Sequence, residues 1–201
     1  MKTMKYYAIA LVAALSLNVA TATEKTNKKA NKVVSYKVDV AKSNVKWHAK
    51  KVTGEHMGSV NISDGALMVD GTKITGGSFN MDMNSIVCTD ITDATMNGKL
   101  IGHLKSDDFF SVAKNPKAAF KITKVEGNNV TGNMTIKGIT NSITFPVVMK
   151  MEGKNVVATA KMMLDRTKWD IRYNSKKFFE SIGDKAIYDD FEIDLTLTAA
   201  K

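Results

Sequence analysis

Three histidines, one cysteine and two acidic pairs are the side chains here whose types could do chemistry: His48, His56, His103, Cys88, Asp107-Asp108 and Asp189-Asp190. Glu55-His56 does not open a zinc-hydrolase motif, because the second histidine at the required spacing is missing. His48 and His56 fall on segments that could be neighbouring strands, yet two histidines leave a closed zinc site short of ligands, so no metal site is expected. No Gly-x-Ser-x-Gly elbow occurs, and Cys88 has no basic partner close in sequence. Asp107 and Asp108 read as the first turn of a short helix over 106–113, capped by Ser106, where negative charge complements the helix dipole. Asp189-Asp190 precedes a strand and is expected to face water. His103, just ahead of that cap, either ties helix to strand or touches the polar head of a ligand. This inventory points to binding and away from turnover, with a hydrolase of unknown type as the remaining enzymatic alternative.

The elements that must carry these residues are strands. Phe79, Met81 and Met83 alternate with Asn80, Asp82 and Asn84, and Phe191, Ile193, Leu195 and Leu197 alternate with Glu192, Asp194, Thr196 and Thr198. Residues 143–151 and 156–164 repeat the pattern, and further strands are expected over 34–40, 44–52, 59–62, 66–70, 118–125 and 130–137. Turns are read at Asp64-Gly65, Asp70-Gly71, Gly76-Gly77, 126–129 and 152–155. Short connections without long intervening helices exclude a parallel sheet. The expectation is an all-β fold in which one-faced strands close into a barrel or pack as two sheets. Two segments break the alternation: 89–110, and an aromatic- and lysine-rich excursion over 167–188 that is long enough to cover one end.

Lys2 and Lys5, the apolar run 8–19 and the small-x-small site Ala20-Thr-Ala22 read as a cleaved secretory signal. The 12 residues of that run fall short of the ~20 that a membrane-spanning helix needs. The expectation is therefore a periplasmic or secreted protein: a signal over 1–22, a basic arm over 23–32, and one domain over 33–201. Of the formal charge of +9, removal of two signal lysines leaves +7. The lysines are spread as outward partners of apolar residues and no recognition helix is visible, so nucleic acid is excluded. A transient contact with an anionic membrane surface fits the charge. Cys88 stands alone, and is expected to be a small buried residue, with an intermolecular disulfide as the alternative.

Three blocks also carry a resemblance. His103-Leu-Lys-Ser-Asp-Asp-Phe-Phe is similar to the His-Leu-Arg-Ser-x-Asp-Phe signature of the YceI-like, polyisoprenoid-binding family, with Lys105 in place of the usual Arg. Val130-Thr-Gly-Asn-Met-Thr-Ile-Lys-Gly-Ile-Thr resembles that family's strand pair, and Leu164-Asp-Arg-Thr-Lys-Trp resembles a late strand. The likeness runs from about Tyr36 to Ala199, while Cys88 matches no family pattern. The resemblance implies an extended, eight-stranded antiparallel lipocalin-like barrel with the short helix near one mouth. It also implies a tunnel for a long-chain isoprenoid-type lipid or a quinone, a periplasmic setting and a homodimer, with no cofactor. On that reading Trp47, Phe79, Met81, Met83, Phe120, Met134, Ile136 and Phe145 line the tunnel. Phe109, Phe110 and Trp169 lie near its mouth, and His103, Lys105 and Arg166 fix a head group. A stress or adhesion module with a solidly packed barrel is the alternative.

Overall fold

A computed structural model describes residues 32–201 of the chain; the expected signal, and all of the basic arm except Lys32, lie outside them. Strands β1 (Val34–Val38), β2 (Asn44–Lys51), β3 (Gly54–Asp70) and β4 (Lys73–Cys88) lead into one helix, α1 (Ala94–Lys105). After it come β5 (Lys117–Glu126), β6 (Asn129–Ile136), β7 (Ile139–Pro146), β8 (Val148–Glu152), β9 (Asn155–Asp165) and β10 (Ile187–Ala200). All pairings are antiparallel, in the order β7-β6-β5-β4-β3-β1-β10-β9-β8, with β2 also between β3 and β10. The two ends of this path, β7 and β8, are consecutive in the chain, so the sheet curls into a barrel around an apolar interior.

The ten strands exceed the eight that the resemblance implies: β1 and β2 are separate, as their spacing suggested, and the run expected over 143–151 is split in two. Between β1 and β2 the chain turns at 39–43, pinned where the Ser43 hydroxyl donates to the Asp39 carbonyl at 2.8 Å and accepts from the Thr198 amide at 3.0 Å. Between β7 and β8, Pro146 has no N–H to donate, and the Val147 amide turns aside to the Asn128 carbonyl at 2.8 Å. Conversely, two expected turns are not turns. Asp64-Gly65 and Gly76-Gly77 lie inside β3 and β4, at irregularities of register. The other three read as expected, with Gly71, Gly127 and Gly153 at positive φ.

A third irregularity, in β4, follows Met83: Asn61 pairs with Asp82 while Ser59 pairs with Val87. The Ser85 side chain fills the bulge, accepting from the Asn61 amide and donating to the Asp82 carbonyl. Phe79, Met81 and Met83 face inward before it, and the extra residues turn Ile86 and Cys88 inward after it. Cys88 is accordingly buried, as the sequence suggested.

The helix is displaced from its expected position. Residues 106–113 form turns, not a helix, and Ser106 ends α1 as its C-terminal cap instead of starting a helix. The start is set by Asp93, whose carboxylate accepts from the Met96 amide at 2.8 Å. Asp107 and Asp108 therefore complement no helix N-terminus. Asp107 instead pairs with Lys114 at 2.7 Å and accepts from the Ser111 hydroxyl, bracing the turns that carry Phe109 and Phe110.

Candidate ligand-binding cavity

Alternation on eight of the strands sends one apolar face of each into the barrel, and the interior is not filled. Two cavities of about 130 Å³ and about 70 Å³ lie side by side inside it. The first lies toward α1, walled by Trp47, Met81, Met83 and Ile136 and closed by Leu104, Phe109 and Phe110. The second lies deeper, among Phe79, Phe120, Val130 and Phe145. Val45, Met134 and Ile193 line both, and so stand between them.

Glycines keep this space open. Trp47 lies against Gly58 on β3, Phe79 against Gly65 and Gly77, and Phe120 against Gly132 on β6; a Cβ at any of these glycines would collide with the ring beside it or with a strand carbonyl. With no side chain opposite, each ring can lie along the wall instead of standing in the lumen. Phe120 and Phe145 then meet at 5.3 Å between centroids.

The 166–186 segment covers the end of the first cavity. It starts as a single 3₁₀ turn, Arg166–Trp169, whose cap is Asp165, accepting from the Thr167 amide and hydroxyl at 2.9 and 2.6 Å. Arg166 is the single charged side chain on the cavity wall and is 5% exposed. Its guanidinium donates to the carbonyls of Tyr188 (3.1 Å), Ile171 (2.9 Å) and Ile187 (3.0 Å), and sits 3.3 Å from the Asp189 carboxylate. Burial pulls the pKa of Arg166 below its ordinary value, and the charges of Asp189 and Asp165 oppose that pull. Burial also works against the charge of Asp165, yet Lys177 at 2.7 Å and the two Thr167 donors outweigh it and hold this carboxyl below the usual range.

Eleven of the fourteen residues expected at the ligand line these cavities: Trp47, Phe79, Met81, Met83, Phe109, Phe110, Phe120, Met134, Ile136, Phe145 and Arg166. Three do not. The His103 imidazole pairs with Asp108 at 3.0 Å and meets Phe109 and Tyr173 edge-on, with centroids at 4.9 and 4.5 Å, so it braces the cover from outside. Lys105 donates to the Asn84 carbonyl at 2.8 Å, tying α1 to β4. Trp169 is buried behind the wall, its indole donating to the Met134 carbonyl at 3.1 Å. All three instead direct these groups to the protein itself.

The sequence reading missed Phe191 and Ile193, although their alternation was visible, Leu104, although it falls at near-helical spacing with Leu100 and Ile101, and Ile171, Ile187 and Tyr188. Tyr188 stands at a break where Ile187 pairs with Lys51 but the next register position joins Phe191 to Ala49. The half-exposed Tyr188 borders the cavity there, its backbone carbonyl accepting from Arg166. Among the described residues, two buried side-chain polar atoms have no hydrogen-bond partner, Trp47 Nε1 and Asp189 Oδ1.

Comparison with known proteins bears on this architecture. A UPF0312 protein of Staphylococcus aureus (strain bovine RF122 / ET3-1) is 36% identical over 87 residues, covering 40% of this chain and 51% of the relative. A UPF0312 protein of Pseudomonas aeruginosa (strain LESB58) is 31% identical over 100 residues, covering 48% and 50%. The chain thus spans about half the length of the curated relatives it matches. Among solved structures, Burkholderia cenocepacia BcnA superposes with a TM-score of 0.63 at 23% identity, over 81% of this chain and 99% of that one. A polyisoprenoid binding domain from Saccharophagus degradans, implicated in plant cell wall breakdown, gives 0.59 at 12% identity, over 84% and 99%. At such identities the structural likeness concerns the fold. The family model of the YceI-like domain matches residues 36–199, nearly all of the barrel, and the chain belongs to that family.

Proposed function

We propose that the chain binds one slender apolar lipid of the long-chain isoprenoid or quinone type inside the barrel, as a carrier or store and not as a catalyst. The observation that carries this reading is the pair of neighbouring cavities, which share three lining side chains and are walled almost wholly by hydrocarbon. A flexible chain threading both would gain about 25 cal/mol for each Å² of apolar surface removed from water. Met81, Met83 and Met134 suit it, since thioethers adapt to a chain without one fixed shape. A polyisoprenoid-binding domain with the same fold, in Saccharophagus degradans, supports the ligand class. Export through a cleaved leader, dimerisation and contact with an anionic membrane surface belong to the same reading, on the sequence signals and the family resemblance.

The experiment is organic extraction and mass spectrometry of the purified protein, beside Met81→Lys. A polyprenyl or quinone species in the parent, absent from a folded Met81→Lys, is the expected result. A buried ammonium costs several kcal/mol and an apolar chain cannot solvate it. A parent without lipid, or a folded Met81→Lys that holds the parent's amount, would overturn the proposal.

A further inference from the structure

The inward turn of Cys88 after the β4 bulge creates a second cluster, outside the lipid cavity. His56 on β3, Cys88 at the end of β4 and Asp90 on the link to α1 bring an imidazole nitrogen, a thiol sulfur and a carboxylate oxygen within 4.8 Å of one another. His56 Nδ1 lies 2.8 Å from Asp90 Oδ2, and Cys88 Sγ donates to Asp90 Oδ1 at 3.1 Å. The frame around them is pinned. The Met57 amide donates to Asp90 Oδ1, the Thr89 amide to the Met57 carbonyl, and the Asn97 side chain to the carbonyls of Cys88 and Ile91. His56 and Asp90 remain partly exposed, so an ion can reach the cluster from solvent. None of the three residues lines the lipid cavity.

We propose that His56, Cys88 and Asp90 form a binding site for a thiophilic divalent ion of the zinc class. Sulfur, nitrogen and oxygen donors suit zinc or cobalt, whereas magnesium and calcium require oxygen-rich sets. On binding, Sγ, Nδ1 and one carboxylate oxygen each form a bond to the ion. The thiol proton leaves to water and the imidazole proton resides on Nε2. Thiolate and carboxylate together neutralise the double positive charge, and the fourth position stays open to water. A nucleophilic cysteine does not fit these atoms, because the carboxylate stands between thiol and imidazole.

The test is titration of the purified, reduced full chain with cobalt(II). A near-ultraviolet thiolate-to-cobalt charge-transfer band should saturate at one equivalent and disappear when zinc is added. Cys88→Ser should remove the band. His56→Gln and Asp90→Asn should each weaken cobalt binding roughly tenfold or more. His48→Gln should bind like the parent, because His48 pairs with Met57 and so lies on the opposite face of the sheet from His56. Absence of the band in the parent would overturn the proposal, as would its survival in Cys88→Ser. So would a band that needs Cys88 but is indifferent to both His56→Gln and Asp90→Asn, which marks a thiol binding adventitiously. Thermal melts establish that each variant is folded, and the two partly exposed positions decide the matter if Cys88→Ser is not.

Discussion

Phe120 and Gly132 show how single residues set the shape of the interior. A Cβ on Gly132 would lie 2.6 Å from the Lys121 carbonyl oxygen and inside contact distance of the Phe120 ring, so either the strand or the ring must move. Gly132→Ala should cost about 1–3 kcal/mol in urea unfolding, the range for overpacking, and lift the ring toward the lumen. An unchanged midpoint would show that the glycine does not hold the ring down. Arg166 makes the complementary point about polarity. Its truncation strands three carbonyls around the cavity end, so Arg166→Met should cost about 3–5 kcal/mol. Arg166→Lys should recover little, because one ammonium cannot reproduce a planar fork of donors. Full recovery by lysine would mean that charge alone matters at this position.

The elements at the covered end differ in how firmly they are held. Helix α1 buries none of its residues completely and contains Gly98 and Gly102, where an added Cβ meets nothing within 4 Å. Gly98→Ala and Gly102→Ala should each stabilise by about 0.5–1 kcal/mol, read from thermal melts. Asp93→Ala should destabilise by about 1 kcal/mol through the lost cap. A null result at all three positions would mean that α1 does not melt with the barrel. The 166–186 cover is held by Asp165, whose carboxyl is kept below its ordinary value against burial by Lys177 and Thr167. Folding therefore weakens proton binding there. The unfolded chain takes up more protons as pH falls past about 4, so the contribution is complete above that pH and drains away through the lower folded value. Asp165→Asn should flatten the acid limb of the stability profile below pH ~4; an unaltered limb would assign the loss to other carboxylates.

At the scale of the whole molecule, the side chains between the two cavities set how much of the barrel one ligand can use. Val45, Met134 and Ile193 come from β2, β6 and β10, and belong to both cavities. If the ligand threads both cavities as proposed, Ile193→Trp should block it between them, at an overpacking cost of about 1–3 kcal/mol, and leave the upper cavity open. Mass spectrometry of extracted lipid should then find shorter chains than in the parent. An unchanged length distribution would place the ligand in one cavity alone.

Period-two alternation determined the strands and their inward faces, because a residue's side of the sheet follows from its parity alone. That is why Met81, Phe120 and Phe145 could be placed on the lining before any pairing was known, and why Arg166 followed from the family-like block that carries it. Parity fails wherever an extra residue enters a strand. The bulge after Met83 reversed the facing of Ile86 and Cys88, and Asp64-Gly65 looked like a turn because glycine serves turns and close crossings alike. The helix was misplaced for a related reason. Ser106-Asp107-Asp108 has the composition of a helix start, which outweighed the near-helical spacing of Leu100, Ile101 and Leu104 within α1, a helix that lacks a fully buried stripe and carries two glycines. His103 and Lys105 had the chemistry of head-group ligands, but neighbours far along the chain or across a turn, Asp108, Tyr173 and Asn84, took their polar and aromatic contacts. The meeting of His56 with Cys88 and Asp90 across more than thirty residues was likewise beyond any spacing rule. Side-chain facing is local and is written in the sequence, whereas register, bulges and the satisfaction of polar groups depend on which strands meet, and only the closed sheet fixes that.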